Sequence, residues 1–217
     1  MIDTVLFDFD GTLMDTNHVI LESWQYTFRN LENREEDVSR LIPTFGEPLD
    51  VTMAKFFPDI PVSESIEVYR SFQRDHFRDL IELFDGVEDM LKSVKEAEYK
   101  MAIVTSRLIG TTMEALNKYG IADYFDVILT PEDTDKHKPD PEPVLVCLEK
   151  LGSKPENAVM LGDTMFDIKC AKNAGVTSIL VGWTFVLKGV TDFGDAPPDY
   201  ILKSPEELIP LLKSKNI

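Results

Sequence analysis

Two carboxylates two residues apart, Asp8 and Asp10, close a short apolar run (Val5, Leu6, Phe7) and are followed by Gly11-Thr12. The run reads as a buried strand, and Asp-Gly is turn chemistry, so both acids stand at the carboxyl edge of that strand. Neighbouring carboxylates repel unless something compensates, and a bound divalent cation is the usual compensation. The stretch therefore reads as a metal-assisted site, with one carboxylate as nucleophile and the other as acid/base. Three further features share the strand-then-polar logic. Thr105-Ser106 follows the apolar Ala102-Ile103-Val104 and offers a hydroxyl and backbone N–H groups suited to phosphate oxygens. Lys138 lies in His137-Lys138-Pro139-Asp140-Pro141, where the prolines stiffen the loop that aims the ammonium. Gly162-Asp163-Thr164 ends another apolar run, and Asp167, four residues after Asp163, lies near it at a helix start.

The elements that must position these groups are legible from Phe84 onward. Short apolar runs over 100–105, 126–130, 158–162, 177–182 and 200–202 alternate with helical patterns ending near 98, 119, 151, 174 and 213. Continuous apolar strands alternating with helices indicate a parallel sheet covered on both faces. Parallel strands align their carboxyl ends, so the four motifs converge on one rim. Residues 16–83 differ: helix-period patterns at 18–31 and 64–84, breaks at Pro43, Pro48, Pro58 and Pro61, and no strand. The expected fold is α/β, a Rossmann-like parallel sheet flanked by helices (1–15 and 84–217) with an inserted all-helical cap (16–83) over the active edge. Phe28, Leu31, Phe72 and Phe77 read as the cap's own core.

Composition bounds the function. The chain has 217 residues, 43% apolar and 28% charged, enough for one good core plus a smaller accessory unit. A formal charge of −17 without any basic cluster argues against a nucleic-acid partner. An anionic substrate would need a metal and a few placed cations. No apolar run approaches the roughly 20 residues that cross a bilayer, and Met1-Ile2-Asp3 leads straight into the first strand without a signal segment. A cytoplasmic protein is expected, with Cys147 and Cys170 as buried thiols. His18, His76 and His137 carry no metal-ligand spacing and read as surface or polar packing residues. Asp15 reads equally as a helix cap or a site residue, and Arg107 as a surface residue or a partner for an anionic group.

In order and context, Asp8-Phe9-Asp10-Gly11-Thr12, Thr105, Lys138, and Gly162-Asp163-Thr164 with Asp167 resemble the four motifs of the haloacid dehalogenase-like (HAD) phosphatase superfamily. The resemblance spans the chain, including the insertion point of a helical cap. It implies that Asp8 forms an aspartyl-phosphate and that Asp10 protonates the leaving group, then activates water. It implies Mg²⁺ held by the Asp8 carboxylate, the Asp10 backbone carbonyl and Asp163, with Asp167 in or near the shell. Thr105 and the Ser106 N–H would grip phosphoryl oxygens, and Lys138 would neutralise charge on Asp8 and phosphate. Gly46, in Gly46-Glu47-Pro48-Leu49, sits where the family's cap carries a substrate loop. Enhancements of phosphate-monoester hydrolysis reach ~10²¹, roughly 28 kcal/mol. One acid or base supplies only ~10²–10⁴, so nucleophile, metal and lysine must act together.

Dehalogenases of this superfamily lack the second acid, so Asp10 argues against that chemistry. Hexose-phosphate mutases usually carry Asp-Gly-Val and a histidine where this chain has Thr12 and Ile20. What remains resembles the phosphoglycolate phosphatase and inorganic pyrophosphatase (PpaX-like) branch. Ile103-Val104-Thr105, the 138–143 segment, Trp183, Lys188 and Gly189 are similar to the pyrophosphatase group. The expectation is a Mg²⁺-dependent hydrolase of small phosphorylated metabolites, most like phosphoglycolate phosphatase, with pyrophosphatase as alternative. It is expected to act as a monomer or small homo-oligomer. The non-enzyme rival is a module that only binds a phosphometabolite.

Overall fold

The computed structural model describes residues 1–184, 186 and 193–214. Six parallel strands form the central sheet: β1 (Thr4–Phe7), β4 (Lys100–Val104), β5 (Val127–Leu129), β6 (Ala158–Gly162), β7 (Thr177–Val181) and β8 (Tyr200–Leu202). Their order is β5-β4-β1-β6-β7-β8, so the chain starts in the middle and builds outward on both sides. Such a reversal of strand order opens a crevice beyond the carboxyl ends of the strands. The fold is therefore the α/β sheet that the apolar runs imply.

Each strand alternates between the two faces, as period-2 geometry requires. Val5, Phe7, Met101, Ile103, Val159 and Leu161 enter one core; Leu6, Ala102, Val104, Ala158 and Met160 enter the other. The first core is closed by α5 (Val87–Glu96), α6 (Ile109–Tyr119) and α9 (Leu208–Leu212), the second by α7 (Glu142–Leu151) and α8 (Met165–Asn173). Cys147 and Cys170 lie in the second core as buried free thiols, and burial pushes both up to about 12. Among the described residues, no helix is long and apolar enough to cross a membrane.

The stretch after β1 departs from the sequence expectation. Met14–Asp15 forms β2 and pairs antiparallel with β3 (Glu82–Leu83), a strand in a region expected to hold none. The helix expected to continue to residue 84 ends at Leu80, because the following residues extend to make this ladder. Between β2 and β3 run α1 (Asn17–Glu32), α2 (Val38–Leu41), α3 (Leu49–Phe56) and α4 (Val62–Leu80). Trp24, Phe28, Leu41, Met53, Phe57 and Tyr69 make a separate core within this insert, against which Leu31 packs. Phe77 does not join it. That ring is buried in the first sheet core with Phe72 packed alongside, so the carboxyl half of α4 is anchored on the sheet side.

Candidate active site

Asp8 continues the β1 ladder for one residue, its N–H donating to the Leu161 carbonyl at 2.8 Å. The chain then turns sharply: the N–H groups of Leu13 and Met14 both donate to the Phe9 carbonyl at 3.0 Å. At φ +74° Gly11 adopts a left-handed conformation, and a Cβ there would lie 2.0 Å from Asp163 Oδ2. The turn can thus bring the first motif against the last only with glycine at this position. Gly11→Ala is expected to cost about 2 kcal/mol or more, from backbone strain and the displaced carboxylate. It should also lower turnover by roughly 10²-fold, because an ångström of misplacement at the reacting centre costs that much. A urea melt and a phosphate-release assay check both, and an unchanged melt would remove the steric argument.

Asp8, Asp163 and Asp167 are buried and offer one oxygen each within 4.8 Å of one another. Lys138 is the cation that ties this group together. Its ammonium donates to Asp8 Oδ1 at 2.5 Å and to Asp167 Oδ1 at 2.7 Å, with 3% of its side chain exposed. Burial alone would depress this lysine; Asp167 and Asp8 outweigh it and hold it above its ordinary value. Burial, then the Asp167 charge, push Asp8 up to about 7 against the opposing pull of Lys138. Asp163 is raised well above the usual carboxylate range, by burial and then by Asp167, Asp8 and Asp10.

One lysine does not balance three buried carboxylates, and Asp163 Oδ1 is buried without a hydrogen-bond partner. Oxygen-only donors with an unsatisfied oxygen suit a hard divalent cation such as Mg²⁺, so the residues present fit one. Asp167 also serves the fold. Its Oδ2 accepts from the Thr164 N–H (3.0 Å) and hydroxyl (2.6 Å) in a capping box that starts α8. Asp167 thus caps α8 with one oxygen and holds Lys138 with the other.

The Asp10 carboxylate is held by Arg107. Arg107 Nε lies 3.0 and 2.9 Å from its two oxygens, and Nη2 is 2.8 Å from Oδ1. Arg107 Nη1 donates to Gln73 Oε1 on α4 at 3.3 Å, and the guanidinium sits 4.4 Å from the centre of the Phe77 ring. Only 7% of the Arg107 side chain is exposed, which excludes the surface reading. This is the site residue whose importance the sequence left undecided; its adjacency to Thr105-Ser106 was the available signal. Gln73 and Phe77 were not readable as its partners, since the fold alone brings α4 to that loop.

Thr105 is buried beneath the rim, its hydroxyl accepting from the Arg107 N–H at 3.0 Å and keeping its own O–H to donate. It lines a small cleft with Ser106 and Lys138, while Ser106 also reaches the main cavity. Asp15 accepts from the Asn17 N–H at 3.1 Å, so it caps the start of α1. All three histidines are exposed, and His137 edges the cavity. Gly46 reaches across from the insert at φ +81°, so close that a Cβ would lie 2.7 Å from Thr164 Oγ1. The main cavity, about 580 Å³, lies between this loop, α4 and the rim carrying Asp8, Asp10 and Asp163. Trp183 Nε1 donates to the Thr12 carbonyl at 3.0 Å, bracing the first loop. Lys188 and Gly189 lie outside the described residues.

Residues 5–181 match the family described as haloacid dehalogenase-like hydrolase. The chain belongs to that family. It is 35% identical over 214 residues to pyrophosphatase PpaX of Halalkalibacterium halodurans, covering 99% of this chain and 98% of that one. It is 36% identical over 215 residues to pyrophosphatase PpaX of Bacillus cereus, covering 99% and 98%. A solved structure of a candidate phosphoglycolate phosphatase from Lactobacillus plantarum superposes with a TM-score of 0.83 at 24% identity, over 97% of this chain and 99% of the other. That likeness concerns the fold. The protein is accordingly a HAD-like hydrolase, and the branch legible in its motifs is the one in which its relatives fall.

Proposed function

We propose that this HAD-like hydrolase cleaves small phosphorylated metabolites through an aspartyl-phosphate on Asp8, with Mg²⁺, and that inorganic pyrophosphate is its first substrate. The observation that carries the mechanism is the Lys138 ammonium, bridging Asp8 and Asp167 beside a third carboxylate with one unpartnered oxygen. Full-length identity to two pyrophosphatases supports pyrophosphate. Phosphoglycolate, the stronger expectation from sequence, becomes the second reading, because the likeness to such an enzyme is one of fold.

In this mechanism an Asp8 oxygen attacks phosphorus as the bond to the leaving oxygen breaks. Asp10 gives that oxygen its proton, then takes one from water as the water attacks the acyl-phosphate and frees Asp8. Lys138 neutralises negative charge shared between Asp8 and the phosphoryl group, while the Thr105 hydroxyl and Ser106 N–H orient it. Asp8, Asp163 and Asp167, with the Asp10 backbone carbonyl, would hold the cation, and its chemistry there would be neutralisation of phosphoryl and carboxylate charge. Arg107 fixes the orientation of Asp10. The insert, residues 16–83, acts as a cap domain whose Gly46 loop and α4 wall off the cavity from water. The core domain is 1–15 and 84–217. We place the enzyme in the cytoplasm, acting on diffusible phosphates as a monomer or small homo-oligomer.

Phosphate release from pyrophosphate, 2-phosphoglycolate and simple phosphate esters, with and without Mg²⁺, tests the reading. Preference for pyrophosphate is expected. Preference for phosphoglycolate would select the second reading, and no release from any compound would leave a binding module.

A further inference from the structure

We propose that Arg70, on the cavity face of α4, binds a second anionic group of the substrate, one beyond the phosphoryl that is transferred. The inference rests on the phosphatase reading above and adds the chemistry of the leaving group. The cavity is far larger than a lone phosphate needs and falls in the range that encloses a complete small metabolite. Carboxylates outnumber Arg and Lys among its lining side chains, so an anionic tail enters only against a placed cation. Four lining side chains, Arg70, Arg74, Arg107 and Lys138, could supply one.

Three of the four are committed. Lys138 holds Asp8 and Asp167, and Arg107 holds Asp10. Arg74 lies 2.6 Å from Glu67 Oε1. Among the described residues Arg70 has no ion-pair partner. Glu67, the acid one turn back on the same helix, is already engaged by Arg74. Arg70 is thus half-buried and lines the cavity without a direct ion pair, and Glu67 acts on it only as a longer-range charge.

Its position fits a leaving group. The acid/base Asp10 marks the side on which the departing oxygen sits. The Asp10–Arg107–Gln73 contacts show that α4 forms the wall on that side. Arg70 is three residues before Gln73, about 5 Å along the helix and on the same face. A tail leading from the departing oxygen along α4 arrives at Arg70. A guanidinium meets either a carboxylate or a phosphate with paired N–H donors, so both anions share the site.

Steady-state kinetics of the parent, Arg70→Ala and Arg70→Lys on three compounds tests this: pyrophosphate, 2-phosphoglycolate and p-nitrophenyl phosphate, whose tail is uncharged. For Arg70→Ala, kcat/KM on the preferred anionic-tailed compound should fall at least tenfold relative to p-nitrophenyl phosphate. The loss should lie in KM, and Arg70→Lys should recover part of it. Loss confined to pyrophosphate assigns the site to a phosphate tail, and loss confined to phosphoglycolate to a carboxylate tail. An unchanged ratio between anionic and uncharged tails overturns the proposal, as does an equal loss on all three; both leave the phosphatase reading standing. A parent protein that releases phosphate from none of them overturns that reading, and this proposal with it.

Discussion

Asp8→Asn should lower phosphate release by roughly 10⁴-fold or more, with no loss of thermal stability. The substituted amide keeps the shape of the side chain but cannot attack phosphorus, and no other carboxylate stands ready to take over. Asp10 is engaged by Arg107, Asp167 is spent on Lys138 and the start of α8, and Asp163 lies in the metal-fitting cluster. Stability should hold because burial and the Asp167 charge already disfavour an ionised Asp8. An amide removes that repulsion while leaving the Lys138–Asp167 pair in place. Turnover at saturating substrate and a thermal melt read the two halves separately. A variant within tenfold of its parent would overturn the nucleophile assignment. One that has lost its cooperative melt would say nothing of chemistry, and Asp8→Glu would then serve, since it retains the charge but displaces the oxygen.

Stripping the protein of divalent cation should stop turnover, and Mg²⁺ should restore it while raising Tm. Removing the cation leaves three buried carboxylates with one ammonium among them. The pH dependence has a definite sign. In the unfolded chain Asp8 titrates near 4, and in the fold it is pushed up to about 7, first by burial and then by Asp167. A carboxyl group raised in this way favours the folded state below the unfolded value and loses that contribution as pH rises through the folded one. Asp163 is raised in the same direction. The metal-free protein should therefore lose stability between about pH 4 and pH 7. Because cation and proton compete for the same oxygens, Mg²⁺ should raise Tm more at pH 8 than at pH 5.5. Calorimetry at the two values, with chelator and with Mg²⁺, measures this. A shift of equal size at both would refute the carboxylate cluster as the binding site.

What the sequence made legible is what local pattern controls. β1, β4 and β6 are short runs buried on both faces, and each is followed at once by a polar motif residue (Asp8, Thr105, Asp163), so the sheet and the convergence of the motifs could be read directly. The β2–β3 ladder could not. Two residues on each strand carry no periodicity, and their pairing is set by where the insert's ends meet. Helices α2 and α3 are short and separated by a segment that carries Pro43 and Pro48, below the length at which a helical period shows. Phe77 looked like part of the insert's interior because helical spacing reports which residues share a face. What that face meets depends on the tertiary placement of α4. Arg107 was undecided for the same reason, since its four partners come from three separate stretches of chain.

Arg107 has a consequence for how such a chain can diversify. The guanidinium touches the acid on one side and the amide and ring of α4 on the other. The helix that shapes the pocket is therefore not an interchangeable part. Grafting a relative's α4 would import new walls for a new substrate, but a graft lacking Gln73 and Phe77 would also loosen the acid. Position 70 can drift with the substrate, whereas Gln73 and Phe77 hold Arg107 and, through it, Asp10. Change along the cavity face of this helix is therefore bounded by two fixed points, Gln73 and Phe77.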